Sequence, residues 1–282
     1  MSNFRVVWII IMLIMPSVAY SQIEIDGIVY LLNKEYREAR VTYDRKYPYK
    51  KYRGNVVIPS SVCYNDTVYI VTEIGDKSFM RCNLLASITL PNTITAIGLM
   101  AFFKCEELHT IVIPEGVIEI GDGAFSSCDS LVSIVLPSTL QKIGTGAFER
   151  SYSLSSVSIP ENVTKISPFT FADCWNLVSV SLPESIDSIG DFAFLNCDKL
   201  PSIVLPPKIK SIGDRAFDGC MSLKSITSFS RRPPRLKGDP GWRCPQVFVP
   251  KGAGLLYKLS KYWRKCRILY SPQIRNYHPM HD

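Results

Sequence analysis

Residues 120–142 read IGDGAFSSCDSLVSIVLPSTLQK, and Ile143-Gly144 then begin the same pattern again. The Ile that opens this pattern recurs every 23 residues across residues 74–228, without a single insertion. The seven opening residues are Ile74, Ile97, Ile120, Ile143, Ile166, Ile189 and Ile212. Gly follows each of them except the fifth, where Ser167 stands. A fixed period of this length indicates a solenoid, in which each coil stacks on the preceding coil in the same way.

The apolar residues inside each repeat predict one strand per coil. In the quoted repeat, Phe125 lies five residues after the Ile, and Leu131 and Ile134 follow in the motif L-x-x-I-x-L-P. Alternating inward apolar and outward small residues is the period of a strand with one buried face. We therefore expect parallel strands stacked about 4.8 Å apart, with short turns or 3-10 segments between them. We interpret the Gly after each Ile as a residue whose turn conformation a Cβ would oppose.

Two flanking regions are predicted to close the ends of the array. Residues 22–73 form an N-terminal β cap and a first partial coil, with hairpin turns at Asp26-Gly27 and Asn65-Asp66. Residues 229–282 form a basic C-terminal cap and tail, containing a strand and then a helix over about residues 254–265. The apolar positions of that helix are Leu256, Leu259 and Trp263. They share one face, which we expect to cover the open end of the core.

The N-terminus predicts export. Residues 4–15 form an apolar run behind Arg5, and Pro16 ends it, which is too short for a membrane span. Ala19 and Ser21 are small residues placed for a cut after Ser21, so we assign residues 1–21 to a secretory signal peptide. No second apolar segment of the sequence reaches membrane length.

The cysteines form a column of the repeat rather than a disulfide framework. Six of the nine recur at the same repeat position, and Ser151 replaces the missing member. The six are Cys82, Cys105, Cys128, Cys174, Cys197 and Cys220. A column that accepts Ser is a small buried site, where a free Cys acts as a weakly polar hydrophobe. Outside this column, the sequence does not decide whether Cys244 and Cys266 form a disulfide bridge.

Charge divides the chain into an acidic array and a basic end. Residues 74–228 carry 11 basic and 16 acidic residues, whereas residues 229–282 carry 12 basic and 2 acidic residues. Eight basic residues of the C-terminal region are candidates for binding an anionic surface such as acidic glycan or lipid headgroups. They are Arg231, Arg232, Arg235, Lys258, Lys261, Arg264, Lys265 and Arg267. Simple solvation of these charges is the alternative.

The sequence offers little for catalysis. His109 stands alone before a strand, and the other two histidines lie in the tail. Asp residues that follow the repeat Gly, such as Asp76 and Asp122, are typical backbone hydrogen-bond acceptors in turns. No nucleophile elbow, phosphate-binding loop, dinucleotide fingerprint or close pair of metal ligands is present. We predict that the protein is not an enzyme and uses neither cofactor nor metal.

Aromatic residues in two variable columns are the best candidates for a binding site. Tyr152 and Trp175 occupy the position after the Cys column in adjacent repeats, and Phe169 and Phe192 occupy the position two after the Gly. Each pair is expected to stack between neighbouring coils. Exposed aromatic pairs are typical interface anchors, although local packing over the turn backbone is the alternative.

The repeat consensus, L-x-x-I-x-I-P-x-x-V-x-x-I-G-x-x-A-F-x-x-C, resembles the BspA-type leucine-rich repeat family of bacterial surface antigens. The segment Asp26-Gly27-Ile28 is similar to the N-terminal strand region of that family, and residues 247–263 are similar to its C-terminal cap. The departures are Ser167 for Gly, Ser151 for Cys, and Phe229 in place of the Pro that ends the other strands. None of them changes the expected fold, a β-rich leucine-rich-repeat solenoid.

This resemblance implies a secreted or cell-surface protein, with the periplasm as an alternative location. It implies adhesion to host proteins or to other cells. The outward strand positions are small and form a flat face that also suits a glycan, so the expected partner is a protein or glycan ligand. A structural envelope component and a glycan-capture protein are the alternatives. We expect a monomer with no transmembrane segment after signal removal, and export disfavours nucleic acid as a partner.

Overall fold

The 23-residue period of the sequence produces a stack of coils along one axis, built almost entirely from short strands. A computed structural model describes residues 21–43, 52–243 and 245–270, and these form a parallel β-solenoid of about nine turns. The predicted leucine-rich-repeat solenoid is therefore confirmed. The predicted signal peptide, apart from its last residue, and the predicted tail after Tyr270 lie outside the described residues.

The solenoid contains 22 strands and one short α-helix within the described residues. In chain order, the strands are β1 (Ser21–Ile25), β2 (Ile28–Asn33), β3 (Glu38–Val41), β4 (Gly54–Val57), β5 (Ser61–Tyr64), β6 (Thr67–Ile74), β7 (Leu85–Thr89), β8 (Ala96–Ile97), β9 (Thr110–Val112), β10 (Glu119–Ile120), β11 (Ser133–Val135), β12 (Lys142–Ile143), β13 (Ser156–Ser158), β14 (Lys165–Ile166), β15 (Ser179–Ser181), β16 (Ser188–Ile189), β17 (Ser202–Leu205), β18 (Ser211–Ile212), β19 (Ser225–Ser228), β20 (Arg235–Leu236), β21 (Gln246–Val249) and β22 (Arg267–Tyr270). The helix α1 spans Gly254–Leu259, and a 3-10 turn follows at Trp263–Lys265.

Parallel strands run along two faces of the stack, which we call the front sheet and the back sheet. The front sheet pairs in three segments, β4 with β7, β9 through β15, and β17 through β22, and the back sheet pairs in two, β6 through β12 and β14 through β20. Their register equals the repeat: Ile111 lies beside Ile134 in the front sheet, and Ile120 lies beside Ile143 in the back sheet. Equivalent side chains therefore stack in columns.

A column of phenylalanines forms the centre of the core. The rings of successive Phe residues from Phe79 to Phe217 stack nearly parallel, with centroids 5.1 to 5.6 Å apart. Tyr52 meets Phe79 at 4.8 Å at one end, and Trp242 meets Phe217 at 5.9 Å at the other. Aromatic side chains thus close both ends of the column, where a bare last coil would expose its apolar face to water.

The N-terminal cap has the predicted hairpins. β1 and β2 pair in antiparallel fashion around Asp26 and Gly27, and β5 and β6 pair around Asn65 and Asp66. All four turn residues have positive φ, between 48° and 78°, as tight hairpins of this kind require. The parallel array then begins where β3 pairs with β6.

Our explanation for the repeat glycines was wrong. Gly98, Gly121 and Gly144 have no positive φ; instead, a Cβ on Gly144 would lie 2.5 Å from the backbone of Asp122 and Gly121 in the preceding coil. Close approach of the coils therefore requires Gly here. Back-sheet pairing is interrupted between β12 and β14, at the one repeat where Ser167 replaces Gly. The Ser167 hydroxyl compensates by donating a hydrogen bond to the Ile143 carbonyl at 2.6 Å.

The predicted C-terminal helix is shorter than expected, and the leucines that were expected to cover the core face solvent instead. α1 ends at Leu259, and both Leu256 and Leu259 are exposed rather than packed on the core. The core is covered by Tyr257 and Trp263, both fully buried, together with Trp242. These larger aromatic side chains bury more apolar area at the open end than the leucines would, and so they set the orientation of the helix.

Candidate binding surfaces

Each coil turns through two residues in the left-handed backbone region. The first lies two residues after the repeat Gly, and the second lies just before the Cys column. The first set is Lys77, Met100, Gly123, Gly146, Phe169, Phe192 and Arg215. This conformation lets alternate N–H groups point along the axis: the amides of Phe169, Phe171 and Asp173 donate to the next coil at 3.0, 2.9 and 2.7 Å. The sequence reading missed this role, because most of these positions carry neither Gly nor Asn.

The four predicted aromatic residues form two separate ring pairs. Tyr152 and Trp175 stack with centroids 4.4 Å apart, and Phe169 and Phe192 stack at 4.8 Å with an interplanar angle of 9°. Trp175 is 48% exposed, and the other three are half-buried. The stacking between neighbouring coils is as expected, and binding by these residues stays a prediction.

Phe169 and Phe192 carry bulky side chains on strained backbone. Their φ angles are 56° and 57°, and the equivalent positions in the two preceding coils hold Gly123 and Gly146. A non-glycine residue in this conformation costs on the order of 1 kcal/mol. The coil can therefore be built with Gly at this position, and the hydrogen bonds of the turn do not require a phenyl ring.

The cysteine column is fully explained by packing. Each of five thiols donates a hydrogen bond to a Phe carbonyl in the preceding coil at 3.1 to 3.2 Å, and the Ser151 hydroxyl makes the same bond at 2.9 Å. Burial raises the pKa of Cys82 to about 11 and that of Cys128 to about 12, so these thiols stay protonated. Cys244 lies outside the described residues, and a bridge from it to Cys266 stays a prediction.

The acidic residues after the repeat Gly act as structural acceptors. Asp76, Asp122 and Asp191 each accept a hydrogen bond from a backbone N–H of the next coil, at 2.7 to 2.9 Å. His109 is exposed. Within residues 21–43, 52–243 and 245–270, no three His, Cys, Asp or Glu side chains are grouped as metal ligands would be.

A shallow groove crosses the outer face of the front sheet. It has a volume of about 610 Å³, and its lining includes Val135, Leu136 and Pro160 together with Glu115 and Glu161. Val135 is 58% exposed, and Val112, on the adjacent strand, is 64% exposed. The rest of this face consists of small polar side chains, so it can contact a macromolecule but does not enclose a small ligand.

The eight basic residues predicted as an anionic-surface site are all exposed but do not form one patch. Arg235 continues the back sheet beside Ser211, whereas Arg267 continues the front sheet beside Gln246. Around the 3-10 turn, Lys261 and Lys265 are brought together, since their ammonium groups lie 5.0 and 5.8 Å from the centre of the Tyr262 ring. None of the ion pairs between described residues involves any of the eight.

These features define the class of protein: a leucine-rich-repeat solenoid of bacterial type, whose repeating residues are used for packing. The sequence matches the BspA type leucine rich repeat region in six copies, over residues 72–177 and 164–231, which is more than half of the chain. The chain belongs to the BspA-type leucine-rich repeat family. Members of this family are cell-surface or secreted bacterial proteins, and their fold is typically a non-catalytic binding scaffold.

Solved structures of similar proteins agree with this assignment. A leucine rich cell surface protein from Faecalibacterium prausnitzii is 30% identical, with a TM-score of 0.66 over 77% of this chain. A leucine-rich repeat protein from Bacteroides ovatus is 25% identical, with a TM-score of 0.54 over 80% of this chain and 70% of its own. The leucine-rich repeat protein of T. pallidum is 27% identical, with a TM-score of 0.50 over 83% of this chain and 85% of its own.

The chain spans 57% of the length of the F. prausnitzii protein. A search of curated proteins found no match. Among the described residues, no helix has the length and apolar character needed to cross a bilayer.

Proposed function

We propose that this protein is a non-catalytic adhesion scaffold of the bacterial surface, which binds a protein or glycan partner through Tyr152, Trp175, Phe169 and Phe192. The observation that carries the proposal is the pair Phe169 and Phe192. These rings occupy left-handed positions that the two coils just before Phe169 fill with Gly, at a backbone cost and outside the buried core. A partner that stacks on the rings would account for them.

The chemistry of the four residues suits such a partner. Stacked aromatic rings present a rigid surface with little conformational entropy to lose, and they pack equally well on apolar protein side chains and on sugar rings. Trp175 also offers an indole N–H to a polar group of the partner. Surface display is supported by the family and by the similar F. prausnitzii protein, which is a leucine rich cell surface protein.

A binding screen tests the proposal. The purified protein and the variant Tyr152→Ser/Trp175→Ser would be compared on panels of matrix proteins and glycans. Val112→Ser/Val135→Ser, which removes two exposed apolar side chains outside the aromatic pairs, is the control. We expect the aromatic variant to lose binding by at least about tenfold, as for interface anchors, while the control keeps it. Equal binding by the wild type and the aromatic variant, with unchanged thermal unfolding, would contradict the proposal.

Display can be tested separately. Protease added to intact cells should degrade a surface protein, whereas protection of the protein would favour an envelope component inside the cell wall or outer membrane. Retention on glycans with no binding to any matrix protein would favour glycan capture over adhesion to host proteins.

A further inference from the structure

The helix α1 presents three leucines to solvent on one side. Leu255, Leu256 and Leu259 are 66%, 47% and 72% exposed. Leu259 lies one turn after both Leu255 (i, i+4) and Leu256 (i, i+3), so the three side chains form a continuous apolar ridge. Gly254 and Tyr257, on the other side of the helix, are buried. A contiguous exposed apolar ridge of this kind marks an interaction site more often than isolated exposed leucines do.

The exposure of the leucines is enforced by the contacts of the buried side. The Tyr257 hydroxyl lies 2.7 Å from Ser228 Oγ and donates a hydrogen bond to the Ser230 carbonyl at 3.0 Å. Its ring packs edge-on against Trp263 at 5.2 Å. A Cβ at Gly254 would lie 2.6 Å from the Tyr270 hydroxyl, so the helix rests directly on β22. Rotating the helix to bury the leucines would break all of these contacts.

Positive charge surrounds the ridge. Lys258 lies between the leucines in the helix, and Lys261 follows it, both of them exposed. No acidic residue occurs anywhere between Asp239 and Asp282. The half-buried Tyr262 stands between Lys261 and Lys265, with both ammonium groups over its ring. Exposed leucines and lysines beside a half-buried tyrosine, with no carboxylate, are typical of segments that lie in a membrane interface.

We propose that Leu255, Leu256, Lys258, Leu259 and Lys261, the leucine-lysine surface, bind the face of a lipid bilayer that contains anionic lipids. The leucines would enter the boundary between headgroups and acyl chains, and the lysines would contact the lipid phosphates. An acidic polysaccharide would account for the lysines but leave the leucines in water. The site is independent of the aromatic pairs in the array and gives the cap a function beyond closing the core.

Vesicle partitioning tests this site on the purified protein. We expect it to bind vesicles of phosphatidylcholine and phosphatidylglycerol at least about tenfold more tightly than vesicles of phosphatidylcholine alone. Higher salt should weaken this preference, because the lysines act by screened attraction.

Lysine variants and a leucine variant separate the electrostatic and apolar components of the site. Lys258→Gln and Lys261→Gln should each weaken binding to the anionic vesicles about fivefold. Leu255→Ser/Leu256→Ser/Leu259→Ser should weaken it about tenfold or more and leave thermal unfolding unchanged, because these side chains are already in water. Val112→Ser/Val135→Ser, which removes apolar side chains from the front sheet, should bind as the wild type does.

Three results would overturn the proposal. The first is equal partitioning, or no partitioning, on the two kinds of vesicle. The second is a triple leucine variant that binds anionic vesicles as tightly as the wild type does and also binds heparin. That result would indicate a purely electrostatic site. The third is a dimer in solution that the triple variant converts to a monomer, because a second copy of the chain would then cover the ridge.

Discussion

Apolar and charged side chains have opposite environments in the repeat array and in the C-terminal cap. In the array, the recurring leucines are buried, and basic residues face acidic residues one coil away, as in Lys142 with Glu119 at 2.5 Å and Lys210 with Asp187 at 3.0 Å. In the cap, Leu255 is 66% exposed and the basic residues have no carboxylate partner among the described residues. The residues that recur in every repeat build the core and turns of the array, which we call the frame. Residues that do not recur are not needed for this packing and are available to bind a partner.

The largest expected decrease in the free energy of unfolding comes from a rise in pH. Burial raises the pKa of five array thiols, namely those of Cys82, Cys105, Cys128, Cys174 and Cys197. Well below the ordinary thiol pKa of about 8.5 to 9, these thiols are protonated in both the folded and the unfolded chain. Above it, the unfolded chain loses protons that the folded chain keeps, so the free energy of unfolding falls by up to about 1.4 kcal/mol per thiol per pH unit.

Thermal unfolding at a series of pH values from 8 upward measures this dependence, with about pH 9 as the expected onset. Cys128→Ser provides the control, since a serine does not titrate in this range, and its curve should fall less steeply. A melting temperature that stays constant through pH 10 to 11 would contradict the assigned burial of the thiols.

A substitution in the aromatic column should have the next largest effect. Phe148→Ala removes a fully buried ring that stacks on Phe125 and Phe171, and it should lower the free energy of unfolding by about 3 to 5 kcal/mol. Leu259→Ala in the cap should change it by less than about 0.5 kcal/mol. Urea unfolding measures both, and similar losses for the two variants would remove the distinction between array and cap.

The glycine column should be sensitive to a single methyl group. Gly144→Ala places a Cβ against the backbone of the preceding coil and should cost about 2 to 3 kcal/mol, because backbone atoms cannot move aside as a side chain can. Gly146→Ala, at φ +61° in a more open site, should cost only about 1 kcal/mol. If the order of the two losses in urea unfolding were reversed, conformational freedom rather than coil spacing would explain the repeat glycines.

The smallest effect is expected at the cysteine column at neutral pH. Cys128→Ser keeps the hydrogen bond to the Phe102 carbonyl and copies the arrangement at Ser151, so it should change stability by less than about 1 kcal/mol. Cys128→Ala leaves that carbonyl without its donor and should cost about 1 to 3 kcal/mol. Calorimetry would distinguish the two, and an equal loss would show that the hydrogen bond contributes nothing.

Much of the fold could be predicted from the sequence because the repeat is strict. The 23-residue spacing of Ile120 and Ile143 required a parallel register, and Asp26-Gly27 and Asn65-Asp66 specified hairpins through ordinary turn chemistry. The position that tolerates both Cys and Ser likewise indicated a small buried site.

Other features depended on three-dimensional contacts that spacing does not encode. The left-handed turn positions carry residues as different as Lys77 and Phe169, so composition gave no signal of positive φ. Leu256, Leu259 and Trp263 fit a helical face by periodicity, but the site below the helix is filled by Tyr257 and Trp263. The pairing of Tyr152 with Trp175 and of Phe169 with Phe192 was predictable from the repeat, because equivalent positions in adjacent coils become neighbours.

The claim that the frame does not need the aromatic pairs is tested most directly by the free energy of unfolding of Phe169→Gly/Phe192→Gly. Because Gly relieves about 1 kcal/mol of backbone strain at each position while the ring stacking of about 1 kcal/mol is lost, the change should stay within about 1 kcal/mol of the wild type. A loss as large as that of Phe148→Ala, about 3 to 5 kcal/mol, would make these rings part of the core and contradict the account.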